Sequence, residues 1–514
     1  MPRAEFLVAL LVAVAFLARL AGRLNVPYPV LLVLGGLLLA AIPGLPRVEL
    51  DPDLVFVIFL PPLLMHAAFM TSPRELRREW RSIGLLAVGL VLLTMVAVAV
   101  VAHEVTNLSW AEAFVLGAVV GPTDPVAATS LFRRLGLPDR LTTILEGESL
   151  TNDGTALVAL RVAIGATTAA GFSLLDATWQ FFGAAIGGIL VGIVAGVIVT
   201  RVRRHIDDPP VEITLSLFTA YFAYLPAEEI GASGVLAAVT VGLFLAWQSP
   251  TGLFQPTSRL QAMAFWDVLI FLLNSLLFIL VGLQLRLVLD ELGDRSAGAV
   301  VGAAAAVAAT VILTRLGWML FVPRLTLLAS RSERTPFAER FLLGWSGMRG
   351  AVSMAAALSI PLHVAGRPLI IFLTFVTILA TLVGQGLTLP ALTRRLVAPQ
   401  PSDDHAEVQA REAAARAALD ELDRAAGENG TPEEAVDYVR RRYELRLRHL
   451  GADEDQHTLP AVRALQRRLV ESERQTIERM HAEEHIDQAT VRRLERELDL
   501  QEERWSELEE SSLS

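Results

Sequence analysis

The sequence predicts an all-α polytopic membrane protein of about thirteen transmembrane helices, followed by a helical cytoplasmic tail. Three observations carry this. The 514 residues are 53% hydrophobic with a mean hydropathy of +0.49, and apolar runs of about 20 residues, the length that crosses a hydrocarbon core, recur from Glu5 to Leu396. Arginines gather on alternate connections between those runs. The acidity is segregated: after Pro399 about 29 acids face about 17 arginines, so the formal net charge of −10 belongs to a tail and the apolar part is near neutral.

In chain order the runs lie near 5–22, 28–42, 53–70, 82–102, 110–132, 141–166, 174–200, 211–226, 231–247, 265–285, 297–322, 341–360 and 368–393. The first lacks the small-residue cleavage site of a signal peptide and reads as a span. Arg74, Arg77, Arg78 and Arg81, then Arg133, Arg134 and Arg140, then Arg201, Arg203 and Arg204, then Arg324, Arg331, Arg334 and Arg340, and finally Arg394 and Arg395 all fall on one side. The positive-inside rule therefore puts the N-terminus outside and the C-terminus in the cytoplasm, which needs an odd number of spans. The expected location is the plasma (inner) membrane of a bacterium, and the lipid bilayer is the first partner. No nucleic-acid partner is expected.

Thirteen spans divide into six, a linker and six of opposite orientation, the inverted-repeat plan of secondary transporters. That plan makes the fifth and twelfth spans equivalent and interrupts both near the midplane. The fifth contains Gly121-Pro122-Thr123-Asp124-Pro125 and the twelfth Gly344-Trp-Ser-Gly-Met-Arg-Gly350; both are weak helix formers at mid-depth, and each holds one charge of opposite sign. The exchange domain is set at 1–397 and the acidic tail at 398–514. The tail has helical periodicity broken at 427–432 and 451–460 and reads as solvated scaffolding, open to an unidentified cytoplasmic regulator. Its His481-Ala-Glu-Glu-His485 has the spacing of a zinc motif but no apolar surround, and is read as solvated helix.

Carboxylates at bilayer depth cost roughly 2.5–3.5 kcal/mol each, which makes them functional candidates by default. At about 1.5 Å per residue, Asp124 lies about 13 Å in from Arg133 and Asp153 about 20 Å in from Arg140; Arg349 and Arg315 reach the same level. Ser149, Asn152, Asp153 and Ala156 follow i, i+3, i+4, i+7 spacing on the sixth span, and Glu148, Asn152 and Thr155 share the neighbouring face. Pro122 and Pro125 remove backbone donors around Thr123 and Asp124, so the fifth span should unwind and release carbonyls into a cavity. Free carbonyls, a hydroxyl from Thr123 or Ser149, and the Asp153 carboxylate make an all-oxygen shell suited to a hard monovalent cation, with Asn152 beside them as a further cation-binding candidate.

Burial penalises the charged form of an unpaired carboxylate, so Asp153 would hold either a proton or a cation in competition. Arginine stays charged, so Arg349 or Arg315 is expected to pair permanently with Glu148. Asn152 adds a dipole and no second titrating charge, which favours one proton per cation and electroneutral exchange. Glu146 is read as a clamp, Asp267 as a helix-start residue at the cytoplasmic end of its span, and His66 as a packed or water-facing histidine.

At these residues the chain resembles the monovalent cation:proton antiporters, which include bacterial sodium/proton antiporters and animal sodium/proton exchangers. The resemblance covers about 1–397 and rests on Phe59-Leu-Pro-Pro-Leu-Leu64, Pro122-Thr-Asp-Pro-Val126, Glu146-Gly-Glu-Ser-Leu-Thr-Asn-Asp-Gly154, Leu273-Asn-Ser-Leu-Leu-Phe-Ile-Leu-Val-Gly282 and Gly344-Trp-Ser-Gly-Met-Arg-Gly-Ala-Val352. It implies a homodimer with a dimerisation domain and a mobile core, two unwound crossing helices and elevator-like alternating access. It also implies that Asp153, Thr123, Ser149 and Asp124 surround the cation, that Asn152 marks an electroneutral branch, and that Glu148 pairs with a core arginine. Many members of that family carry an acid where this chain has His66, so the resemblance does not extend to a cation-entry role there.

The expected activity is antiport of Na⁺ or Li⁺ against H⁺, with K⁺/H⁺ exchange as the alternative within the class. A gated cation channel, the alternative from another class, fits less well, because a pore needs a continuous series of sites and here two broken helices converge on one titratable Asp. No enzyme chemistry is expected: no nucleophile–base pair or phosphate loop is present, and without cysteine there is no thiolate metal site. No cofactor is expected, and no metal beyond the transported monovalent cation.

Overall fold

The computed structural model describes residues 3–24, 26–42, 52–135, 137–168, 174–206, 208–248, 256–292, 296–326 and 336–396, and in the tail 404–426, 433–451 and parts of 469–498. The chain divides into two compact units, Met1–Pro399 and Gln400–Ser514. Among the described residues every regular element is helical.

The first unit runs α1 (Arg3–Leu24), α2 (Tyr28–Ala41), α3 (Val55–Met70), α4 (Pro73–Val105), α5 (Trp110–Val120), α6 (Val126–Arg134), α7 (Asp139–Thr168), α8 (Leu174–Arg203), α9 (Pro209–Glu229), α10 (Gly234–Gln248), α11 (Pro256–Leu283), α12 (Leu285–Leu292), α13 (Ala297–Thr326), α14 (Phe337–Trp345), α15 (Ala351–Leu358) and α16 (Arg367–Leu396). Among these, α4, α13 and the apolar lengths of α8, α11 and α16 are long and apolar enough to cross a membrane, and α2, α3, α5 and α10 are shorter apolar helices. The tail contributes α17 (Asp404–Ala426) and α18 (Glu433–Gly451), linked by an Arg440–Asp423 ion pair at 2.7 Å. The expected breaks at 427–432 and beyond 451, His481 and His485, and the loop arginines Arg331 and Arg334 lie outside the described residues.

One boundary differs from expectation, and one helix carries a local irregularity. The arginines Arg74 to Arg81 do not sit on a free connection: they form the polar first turns of α4, whose N-terminus is capped by Ser72 accepting from the Glu75 amide at 3.5 Å. On α3 a wide π turn over Val55–Phe59 precedes Pro61-Pro62, which relieves the clash between a proline ring and the carbonyl one turn earlier.

The interior is organised in two large apolar clusters. One gathers Val115–Val120 of α5, Ala351–Ala357 of α15, and parts of α4, α7, α13 and α16. The other gathers Ala127–Phe132 of α6, Leu342 and Leu343 of α14, and parts of α1, α2, α4, α7 and α16. The two halves of each broken span are thus anchored in different clusters, and the non-helical residues Gly121–Pro125 and Ser346–Gly350 lie between them. That is how unpaired backbone is tolerated at this level: it is enclosed by protein on both sides. Facing the site, α2 and α11 meet backbone to backbone, where a Cβ on Gly282 would come 2.8 Å from the Gly36 Cα. The last residue of the Leu273–Gly282 motif is therefore a packing requirement.

Candidate functional site

The two interruptions touch. The Asp124 amide donates to the Met348 carbonyl at 2.8 Å, so one break is bonded directly to the other. Each charged residue then serves the half-helix ends that converge there. The Arg349 guanidinium donates through Nε to the Val120 carbonyl at 3.0 Å and through Nη2 to the Gly121 carbonyl at 3.3 Å, capping the C-terminus of α5. Arg315, from α13, donates through Nε to the Leu343 carbonyl at 3.1 Å, in the last turn of α14. Both cations lie at the negative ends of helix dipoles. Asp124 takes the opposite role: its Oδ1 accepts from the Val126 amide at 3.0 Å at the start of α6. Its carboxylate also fills the space that a Cβ on Gly350 would need at the start of α15.

Of the two arginines left open by the sequence, Arg315 is the partner of Glu148. It donates through Nη1 to Oε1 and through Nη2 to Oε2 at 2.9 Å, with both side chains 1% exposed. Arg349 forms no ion pair with Glu148, because its donors are directed to main-chain carbonyls that helix breakage has orphaned. The Thr123 hydroxyl donates to Glu148 Oε1 at 3.0 Å and accepts from Asn152 Nδ2 at 2.9 Å. Thr123, Glu148, Asn152 and Arg315 are therefore one network that ties the unwound segment to α7 and α13.

A cavity of about 350 Å³ lies in front of this network. Pro122, Thr123, Asp124, Pro125, Ser149 and Asp153 line it together with Tyr28, His66, Asp267 and Asn274; Arg133 and Glu146, paired at 2.6 Å, also line it. Asp153 is 6% exposed and, among the described residues, forms no hydrogen bond or ion pair with protein; the nearest acid acting on it is Asp124. Within five residues of α7, Glu148 is fully neutralised and Asp153 is left unpaired at the cavity wall.

Two sequence expectations are revised by this geometry. Asn152, expected among the cation-binding residues, does not line the cavity: it stands one residue, about 100° of helix, from Asp153, and faces Thr123. The Thr123 hydroxyl is hydrogen-bonded to Glu148 and Asn152, while the residue also lines the cavity. Asp267 is no helix-start residue, because α11 begins at Pro256 and Asp267 lies well inside it. His66 lines the cavity half-buried, stacked on Trp266 with centroids 5.0 Å apart. Sequence reasoning gave Asn274 no role; its signal was the i, i+3, i+7 spacing of Asp267, Ile270 and Asn274. Among the described residues no group of three metal-binding side chains is present.

Gly350 offers a local test. Gly350→Ala places a methyl group against the Asp124 carboxylate, and strain of this kind costs typically 1–3 kcal/mol. Transport by this variant should fall well below wild type while Gly384→Ala, at a site with open space, stays near it; equal rates in reconstituted vesicles would show that Asp124 need not sit against α15.

The sequence profile described as sodium/hydrogen exchanger, transmembrane, matches residues 8–395. An uncharacterised Na⁺/H⁺ exchanger of Mycobacterium tuberculosis is 38% identical over 518 residues, covering 96% of this chain and 95% of that protein. The low-affinity Na⁺/H⁺ antiporter NhaS1 of Synechocystis is 36% identical, covering 78% of this chain and 76% of its own length. A sodium, potassium, lithium and rubidium/H⁺ antiporter of Bacillus subtilis is 33% identical, covering 72% and 58%. In fold, the chain is similar to the sodium proton antiporter MjNhaP1 of Methanocaldococcus jannaschii at pH 8, with a TM-score of 0.60 over 76% of this chain and 98% of that one, at 22% identity. With a profile match across the whole helical unit and relatives of this extent, the chain belongs to the sodium/hydrogen exchanger family.

Proposed function

We propose that this protein is a secondary antiporter that exchanges Na⁺ or Li⁺ for H⁺ across a bacterial plasma membrane, with proton and cation competing for Asp153. The observation that carries the proposal is the isolation of that carboxylate: it is buried at a cavity wall without a partner among the described residues, while Glu148 and Arg315 neutralise each other. An unpaired carboxylate in low dielectric must take up a proton or a cation. Asp153, the Ser149 hydroxyl and Asp124 supply the oxygen ligands. With one site and one exchangeable charge, each cycle moves one cation against one proton and is electroneutral.

Alternating access follows from the same arrangement. The Arg-rich loops put Arg133, Glu146 and their end of the cavity on the cytoplasmic side. Farther along α7, an Arg161–Glu228 pair at 2.5 Å joins it to α9, and Ala159, Leu160 and Ala163 enter the α5–α15 apolar cluster. The reading is therefore an inward-open state of a thirteen-span, six-plus-six transporter with the tail in the cytoplasm, working as a homodimer.

The test is cation-induced recovery of a pH gradient in inside-out vesicles, titrated separately with Na⁺, Li⁺ and K⁺. Na⁺ and Li⁺ should dissipate the gradient in a saturable way. Recovery with K⁺ alone would replace sodium by potassium, a reading the broad cation range in the name of the Bacillus relative makes worth a separate arm. Cation uptake driven by an imposed membrane potential without a pH gradient would overturn the one-for-one stoichiometry.

A further inference from the structure

Part of the wall of the cavity that holds Asp153 belongs to α11. Asp267, Ile270 and Asn274 all line it and share one helix face by their i, i+3, i+7 spacing, so a strip about 10 Å long runs along the cavity. Its two polar residues differ in a useful way. Asn274 is 9% exposed, lines the cavity, and its amide makes no hydrogen bond among the described residues. Asp267 is exposed and forms no ion pair among the described residues. Glu146, which also lines the cavity, is already held by Arg133 at 2.6 Å, whereas Asp267 has no such ion pair among the described residues.

We infer that this face of α11 is the cation-recruiting strip of the transporter: Asp267 draws a monovalent cation into the cavity, and the Asn274 amide oxygen binds it together with Asp153. An acid inside a cleft with low-dielectric walls raises the local concentration of counter-ions, and an amide oxygen is a suitable ligand for a hard cation. Asn274 brings such an amide to the cavity wall. The inference rests on the exchange proposed at Asp153.

The experiment measures initial exchange rate against Na⁺ concentration in inside-out vesicles, at fixed pH and at several ionic strengths set with choline chloride. Asp267→Asn should raise the apparent KM for Na⁺ roughly 3- to 10-fold, with the rate at saturating Na⁺ close to wild type. The gap should narrow as salt screens the charge, and Asp267→Glu should restore low KM. Asn274→Ala should raise KM by a margin that salt does not erase. Unchanged KM in both variants, or a lower maximal rate at unchanged KM, overturns the inference. Should Asp267→Asn fail to fold, the wild type decides: its KM must rise with ionic strength, and a flat response overturns the recruiting role. Absence of exchange in wild type would instead defeat the antiport reading itself.

Discussion

Asp153→Asn will reduce exchange of Na⁺, Li⁺ and K⁺ to that of empty vesicles at every pH, while the protein folds and purifies as wild type. The cycle needs one group that is neutral when protonated and anionic when it holds the cation. Asparagine preserves shape and some hydrogen-bonding capacity but cannot give up or accept that proton. Stability should move the other way from activity. In wild type the carboxylate is 6% exposed without a partner among the described residues, and a buried polar or charged group left uncompensated costs free energy. Replacing it with a neutral amide therefore leaves the melting temperature unchanged or higher. Asp153→Asn that still exchanges protons for sodium would show that another carboxylate carries the cycle, and Asp124 would be the next to test.

Much of this site was legible in the sequence, and what was missed has a physical pattern. The break in the fifth span was legible because Pro122 and Pro125 remove backbone donors whatever the fold, and the break in the twelfth because Gly344, Gly347 and Gly350 weaken any helix. That Glu148 would pair with an arginine followed from the cost of its burial. Which arginine it chose did not, because Arg349 binds the carbonyls of Val120 and Gly121, and no side-chain pattern records where a distant helix will end. Asn152 was grouped with Asp153 because helical-wheel arithmetic assigns broad faces, yet the cavity covers only one side of that face. Asp267 was misread for a third reason: the polar stretch Pro256–Gln261 hides the first turns of α11, so the apolar run appeared to start beside it. Asn274 stood inside a recognised motif whose glycine is explained by the approach to Gly36, and only the cavity distinguishes its role from packing.

The second large effect is expected at Glu148, and it should appear as stability first. Glu148→Gln keeps an acceptor for the Thr123 hydroxyl but leaves the Arg315 guanidinium, 1% exposed, without its counter-charge. Breaking a buried pair from one side costs about 3–5 kcal/mol, because the surviving charge stays buried, whereas replacing both partners with apolar groups of similar volume is often neutral. Glu148→Gln and Arg315→Met should each lower the melting temperature and the yield of monodisperse protein, and the double variant Glu148→Leu/Arg315→Met should recover most of the loss. The recovery measures coupling directly, since independent sites would add. Exchange need not recover with it, because the Thr123 hydroxyl then loses its acceptor and the Leu343 carbonyl loses Arg315 Nε, and both belong to the segments that shape the cavity. A Glu148→Gln variant of normal yield and melting temperature, but with weakened Na⁺ affinity, would make Glu148 a cation ligand and would require the pair with Arg315 to open during transport.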